Sequence, residues 1–116
     1  MDRHPHLITE YQLVFGLSEQ MLALANQAQW QALVEMEIQY ARQVERATAL
    51  MAASEVPDPT QAAIRTLLDR TLANEAQVTQ LLRARMDQLA ELIGHTSRQK
   101  ELSHAYGQFA DRRPLF

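Results

Sequence analysis

Residues 64–92 read IRTLLDRTLANEAQVTQLLRARMDQLAEL. Ile64, Leu68, Thr71, Glu75, Val78, Leu82, Arg85, Leu89 and Leu92 follow one another at alternating steps of four and three. Eight such intervals in succession keep one face of a helix in register along its whole length. That regularity predicts near-antiparallel, coiled-coil-like packing against a second helix. The face is not purely apolar, because Asn74 and Glu75 interrupt it. A polar layer that fixes helix register accounts for them, and polar contacts to a partner are the alternative. Arg85 reads as a snorkelling side chain or a salt-bridge donor at the bundle edge.

Working outward, the segment SEVPDP at 54–59 is the clearest loop in the chain. Asp58 can cap the following helix, and Pro59 suits its first position, where a missing N–H costs nothing. Downstream, Gly94 is the expected stop after Ile93. Thr96 and Gln99 then form a T-x-x-Q capping box, which predicts a short fourth helix ending near Gly107 or Phe109. Upstream, Leu7, Tyr11, Val14, Ser18, Met21 and Ala25 repeat at helical spacing, widened by Ile8, Phe15 and Leu22, so residues 7–28 read as a first helix. Residues 30–53 read as a second, with Leu33, Tyr40, Val44, Ala47 and Met51 on one side. Glu37 falls on that side too, and a buried carboxylate is costly without a hydrogen bond, so it should meet a partner group or the bundle edge.

The chain is therefore expected to be all-α: an antiparallel bundle of three long helices plus a short C-terminal helix. Its 116 residues suit one domain, with roughly 65% of the unfolded surface buried. The expected divisions are a disordered 1–6, a three-helix bundle over 7–94, a regulatory helix over 95–109 and a flexible tail over 110–116. Only three glycines and four prolines punctuate it.

Composition excludes several classes of function. The formal charge is −3 and the basic residues are scattered, which argues against nucleic acid as the main ligand. With no cysteine there is no disulfide, thiol catalysis or thiolate metal site, a pattern that fits the cytosol. No signal region opens the sequence and no apolar run reaches membrane-spanning length, so a soluble cytoplasmic protein without membrane insertion is expected. His4 and His6 lack the further ligands a metal needs, and His95 and His104 stand apart. Glu35 and Glu37 point to different helix faces and make no acid/base pair. No phosphate loop or serine-centred motif occurs. The expectation is a non-enzyme with no cofactor, no metal and no catalytic residue.

Helix lengths add a sharper point. A third helix of about 34 residues spans about 50 Å, against about 36 Å for the second. Paired from the 57–59 loop, the two leave Met86, Leu89, Leu92 and Ile93 beyond the end of the shorter one. An apolar strip of that size calls for a cover. Leu82, Met86, Leu89 and Ile93 are the candidate partner-binding groove, suited to an amphipathic partner helix. The segment 95–109, with Leu102, Ala105, Tyr106 and Phe109, is the candidate cover. Three or so large side chains dock it only weakly, which suits a movable lid.

The run Thr71-Leu72-Ala73-Asn74-Glu75, then Leu81-Leu82 and Arg85-Met86-Asp87, closing on Leu92-Ile93-Gly94, resembles the flagellar export chaperone FliT family. So do residues 96–100 (TSRQK), the triplet Ala105-Tyr106-Gly107, the Trp30, Glu37 and Tyr40 spacing, and the run through Leu17-Ser18, Leu22 and Leu24-Ala25. The resemblance covers about residues 8–109, and the order and spacing of the motifs carry it. It implies a cytosolic chaperone of flagellar type III export that consumes no ATP. The implied client is the filament-cap protein FliD, bound through its C-terminal region, with contacts to the export ATPase and its soluble partners. In some bacteria the family also binds the master activator FlhDC and restrains flagellar genes. Its C-terminal helix is thought to mask the binding surface. Two other classes stay open: an anti-activator acting on FlhDC alone, and a structural helical-hairpin homodimer in which the last helix is core.

Overall fold

The structure, a computed structural model, describes the backbone of residues 4–111 and the side chains of residues 6–104. These residues form three helices, α1 His4–Asn26, α2 Trp30–Ala52 and α3 Asp58–Asp111, with no strand among the described residues. α1 begins at His4, inside the segment expected to be disordered, and Pro5 falls in its first turn, where no N–H is required.

The α1–α2 turn takes only three residues. Gln29 N–H reaches the Leu24 carbonyl at 2.9 Å and Ala28 N–H reaches that of Ala25 at 3.1 Å. This pair of bonds is a Schellman closure. Its left-handed position, φ 56°, is held by Ala28 where glycine is the usual occupant. α3 opens after Pro57, whose carbonyl accepts the first bond, from Gln61 N–H at 3.0 Å. Asp58 and Pro59 then lie in the first turn, within a residue of their expected positions.

The chain divides into two compact units, Met1–Leu82 and Arg83–Phe116. In the first, all three helices contribute to one core. The α1 stripe Leu7, Tyr11, Val14, Ser18, Met21 and Ala25 is buried throughout. It packs with Leu33, Tyr40 and Ala47 of α2 and Ile64, Thr71 and Val78 of α3. Tyr11 O–H donates to Met51 Sδ at 3.3 Å, and Gln43 Nε2 donates to the Glu10 carbonyl at 3.2 Å and to its carboxylate. The start of α1 thus meets the end of α2, so these two helices are antiparallel. Arg70 stacks 4.3 Å from the centroid of the Phe15 ring and Asn74 bonds Ser18, so α1 and α3 run in the same direction.

Gly94 does not end α3. The expected separate helix from Thr96 is instead a continuation of α3 through Asp111. Gly94 keeps a helical backbone, with no glycine at positive φ among the described residues. A glycine within a helix costs only about 1 kcal/mol relative to alanine. Ser97, Arg98, Gln99, Lys100, Glu101 and Leu102 contain no breaker, and the next proline is Pro114. A glycine alone is a stop only when the residues after it cannot propagate the helix.

Candidate partner-binding surfaces

Two surfaces stand out, one in each unit. In the second unit, Met86 is 64% exposed, Leu89 39%, Leu92 59% and Ile93 65%. They lie at helical spacing on one side of α3. Leu89, Leu92 and Ile93 border a shallow depression of about 310 Å³ with Thr96, Ser97 and Lys100. Leu82, the fourth residue of the expected groove, belongs to the first unit and packs half-buried against its core. Among the described residues the expected groove is therefore a helix face. A groove needs two walls, and residues on one helix supply a ridge.

The expected cover does not lie over this face in the described residues. Residues 95–104 continue α3, and Leu102 is itself 61% exposed. Ala105, Tyr106 and Phe109 lie outside the residues whose side chains are described.

Beside the apolar strip on the same helix, Arg85, His95 and Arg98 border a second depression, of about 620 Å³, with Gln88, Glu91 and Leu92. An amphipathic helix laid on the strip would find apolar contact along the middle and, along one flank, the guanidinium groups of Arg85 and Arg98 with the Glu91 carboxylate among them. Half-desolvating four large side chains is worth about 3–6 kcal/mol gross. Association itself costs on the order of 4–15 kcal/mol, so tight binding needs contacts beyond this strip.

Asn74 and Glu75, the two residues left between a register layer and a partner contact, are both engaged inside the first unit. Asn74 Nδ2 donates to Ser18 Oγ at 3.0 Å, and Ser18 Oγ donates to the Phe15 carbonyl at 2.6 Å. Ser18 is buried, so this relay satisfies a hydroxyl in the core. Tyr40 O–H donates to Glu75 Oε1 at 2.8 Å. Burial, then the bond to Glu75 and the negative charge of Glu75 and Glu37, holds the Tyr40 phenol well above its ordinary value. The phenol stays protonated and remains a donor. Glu37 is exposed at the bundle edge, one of the two places expected for it.

Around this pair lies the surface that periodicity did not reveal. A groove of about 480 Å³ runs between α2 and α3. Buried Tyr11, Val14, Tyr40 and Thr71 form its floor. Half-buried Val44 and Leu68 line it, and exposed Ala41, Thr48 and Leu72 form its rims. Glu37 and Glu75 stand at the Tyr40 end. The sequence signal was present in Leu72 and Ala41, apolar residues outside the core stripes. It becomes legible only once two helices are placed side by side.

No group of three or more metal-ligating side chains occurs among the described residues, and no described helix is long and apolar enough to cross a membrane.

Comparison with known proteins adds an independent line. The family model described as Flagellar protein FliT matches residues 8–108. A Flagellar protein FliT from Yersinia pestis bv. Antiqua (strain Angola) is 41% identical over 115 residues, covering 99% of this chain and 96% of that protein. One from Yersinia pseudotuberculosis serotype O:3 (strain YPIII) is 43% identical over 116 residues, with the same coverage.

Proposed function

The chain belongs to the FliT family of flagellar proteins, and we propose that it acts as a cytosolic export chaperone for the filament-cap protein FliD. The observation that carries the proposal is the exposed strip Met86, Leu89, Leu92 and Ile93. Leu89 and Leu92 continue the four-and-three stepping of the α3 stripe, and Met86 and Ile93 lie next to it on the same side of the helix. A face with coiled-coil spacing and no cover among the described residues is suited to an amphipathic helix from another chain. The client's C-terminal region supplies that helix, and the strip keeps it from aggregating until the export ATPase and its soluble partners receive it. The role is one of binding and handover, with no chemical step.

The alternative is an anti-activator whose ligand is the FlhDC complex. Purified full-length chain is titrated calorimetrically with the FliD C-terminal segment and, separately, with FlhDC. Saturable binding of the FliD segment, lost on Leu89→Asp, supports the chaperone reading. Binding of FlhDC alone would replace it with the anti-activator.

A further inference from the structure

The chain has no cysteine and five methionines, so its thioethers are the side chains most open to oxidation. Of Met21, Met36, Met51 and Met86, only Met86 is exposed. Met21 is buried in the first unit's core, and half-buried Met36 and Met51 pack against that core. The Met51 sulfur also accepts the Tyr11 hydroxyl at 3.3 Å, which engages one of its lone pairs. Met1 lies outside the described residues. Met86 belongs to the second unit and takes no part in the core of the first. It does belong to the exposed strip, where Leu89, Leu92 and Ile93 offer an oxidant no sulfur.

We propose that Met86 is a reversible oxidation site, and that its sulfoxide weakens binding at the strip while leaving the fold intact. The oxidant is a peroxide. The thioether sulfur attacks one peroxide oxygen, and an S–O bond forms as the O–O bond breaks. The departing hydroxide takes the remaining peroxide proton and leaves as water. Sulfur is oxidised by two electrons and the peroxide is reduced by two. The product is uncharged but polar, with an oxygen that accepts hydrogen bonds. Water satisfies that oxygen on the free chain, and an apolar partner face does not, so the penalty falls on the complex alone. The return step needs two thiols, which this chain lacks and a methionine sulfoxide reductase supplies: the sulfoxide oxygen leaves as water and the thiols become a disulfide. An exposed side chain is open to such an enzyme. The placement separates signal from stability. The same chemistry at Met21 or Met51 would set a polar group in the core, and those sulfurs are the shielded ones. The inference rests on the chaperone reading only in naming the ligand that is lost.

The test treats the full chain with graded hydrogen peroxide and maps oxidation by peptide mass spectrometry. Met86 should gain one oxygen before Met21, Met36 and Met51, with the melting temperature and helicity unchanged. The chain oxidised at Met86 is then titrated calorimetrically with two ligands, the FliD C-terminal segment and a synthetic helical peptide with leucines on one face. Each should bind about tenfold more weakly than to the reduced chain. Methionine sulfoxide reductases acting on both sulfoxide epimers should restore the affinity. In Met86→Leu, peroxide at the same dose should leave the affinity where it stood. Oxidation of the shielded methionines first, a fall in melting temperature when Met86 alone is oxidised, or equal affinity of the oxidised and reduced chains overturns the proposal. An inert FliD segment beside a leucine-faced peptide that binds the reduced chain and is lost on oxidation supports the switch and sinks the chaperone reading. A FliD segment that binds both forms alike sinks the switch and leaves the chaperone reading standing. Failure of both ligands to bind the reduced chain sinks both.

Discussion

Replacing Gly94 with alanine should stabilise the helix that contains it. A methyl built at Gly94 meets nothing within 4 Å, and the backbone there is not at positive φ. The substitution thus adds no clash and no strain, and the helix-propensity difference of about 1 kcal/mol acts alone. Residues 83–104 have few buried neighbours, so the gain should be local and need not appear in the melting of the first unit's core. Hydrogen exchange is the assay that resolves it. Amides of residues 95–102 open by unwinding of α3, and about 1 kcal/mol makes that opening about fivefold rarer, so their exchange should slow by that factor. Ellipticity at helical wavelengths should rise or hold. The opposite result, faster exchange and lost helicity, would mean that Gly94 occupies the left-handed C-terminal position of a helix that stops there. A β-carbon in that conformation costs about 1–2 kcal/mol. That outcome would refute the continuous α3 and restore a separate helix after Gly94.

The reverse exchange is expected at the α1–α2 turn: Ala28→Gly removes the left-handed strain and should raise the unfolding free energy by about 1 kcal/mol, read by urea denaturation. Tyr40→Phe should cost about 1 kcal/mol near neutral pH, because water can replace the lost donor at half-buried Glu75. Its pH dependence has a definite sign. The folded-state phenol is raised above the ordinary 10.0, so the stability it contributes is complete below that pH and lost as pH climbs through the raised value. Above about pH 10 wild type should therefore lose stability faster than Tyr40→Phe, and the gap between the two should narrow. Parallel urea midpoints across that range would contradict the assigned bond.

Much of the first unit was legible in the sequence because burial there follows a single period. The α1 stripe from Leu7 to Ala25 is buried at each of its six positions, including Ser18, and Ile64, Thr71 and Val78 mark where the α3 stripe meets the core. Farther along α3 the same spacing continues through Leu89 and Leu92, which are exposed. Periodicity reports a face and says nothing of whether another element covers it. Gly94 misled for a related reason: stop signals are local and cheap to override, whereas termination depends on the residues downstream. The Tyr40–Glu75 bond and the groove around it join positions 35 residues apart, so no window along the chain could show them. The resemblance of residues 71–94 to a flagellar family, by contrast, rested on order and spacing, and the family match over residues 8–108 agrees with it.

Calorimetry of the FliD C-terminal segment against wild type and Leu89→Asp tests the central claim most directly. Leu89 is exposed, so the variant should keep its helicity and melting temperature. An aspartate set against an apolar partner face should cost at least about 2 kcal/mol, or about thirtyfold in affinity. The account predicts saturable binding to wild type and that loss in the variant. Undiminished binding by a folded Leu89→Asp would contradict it.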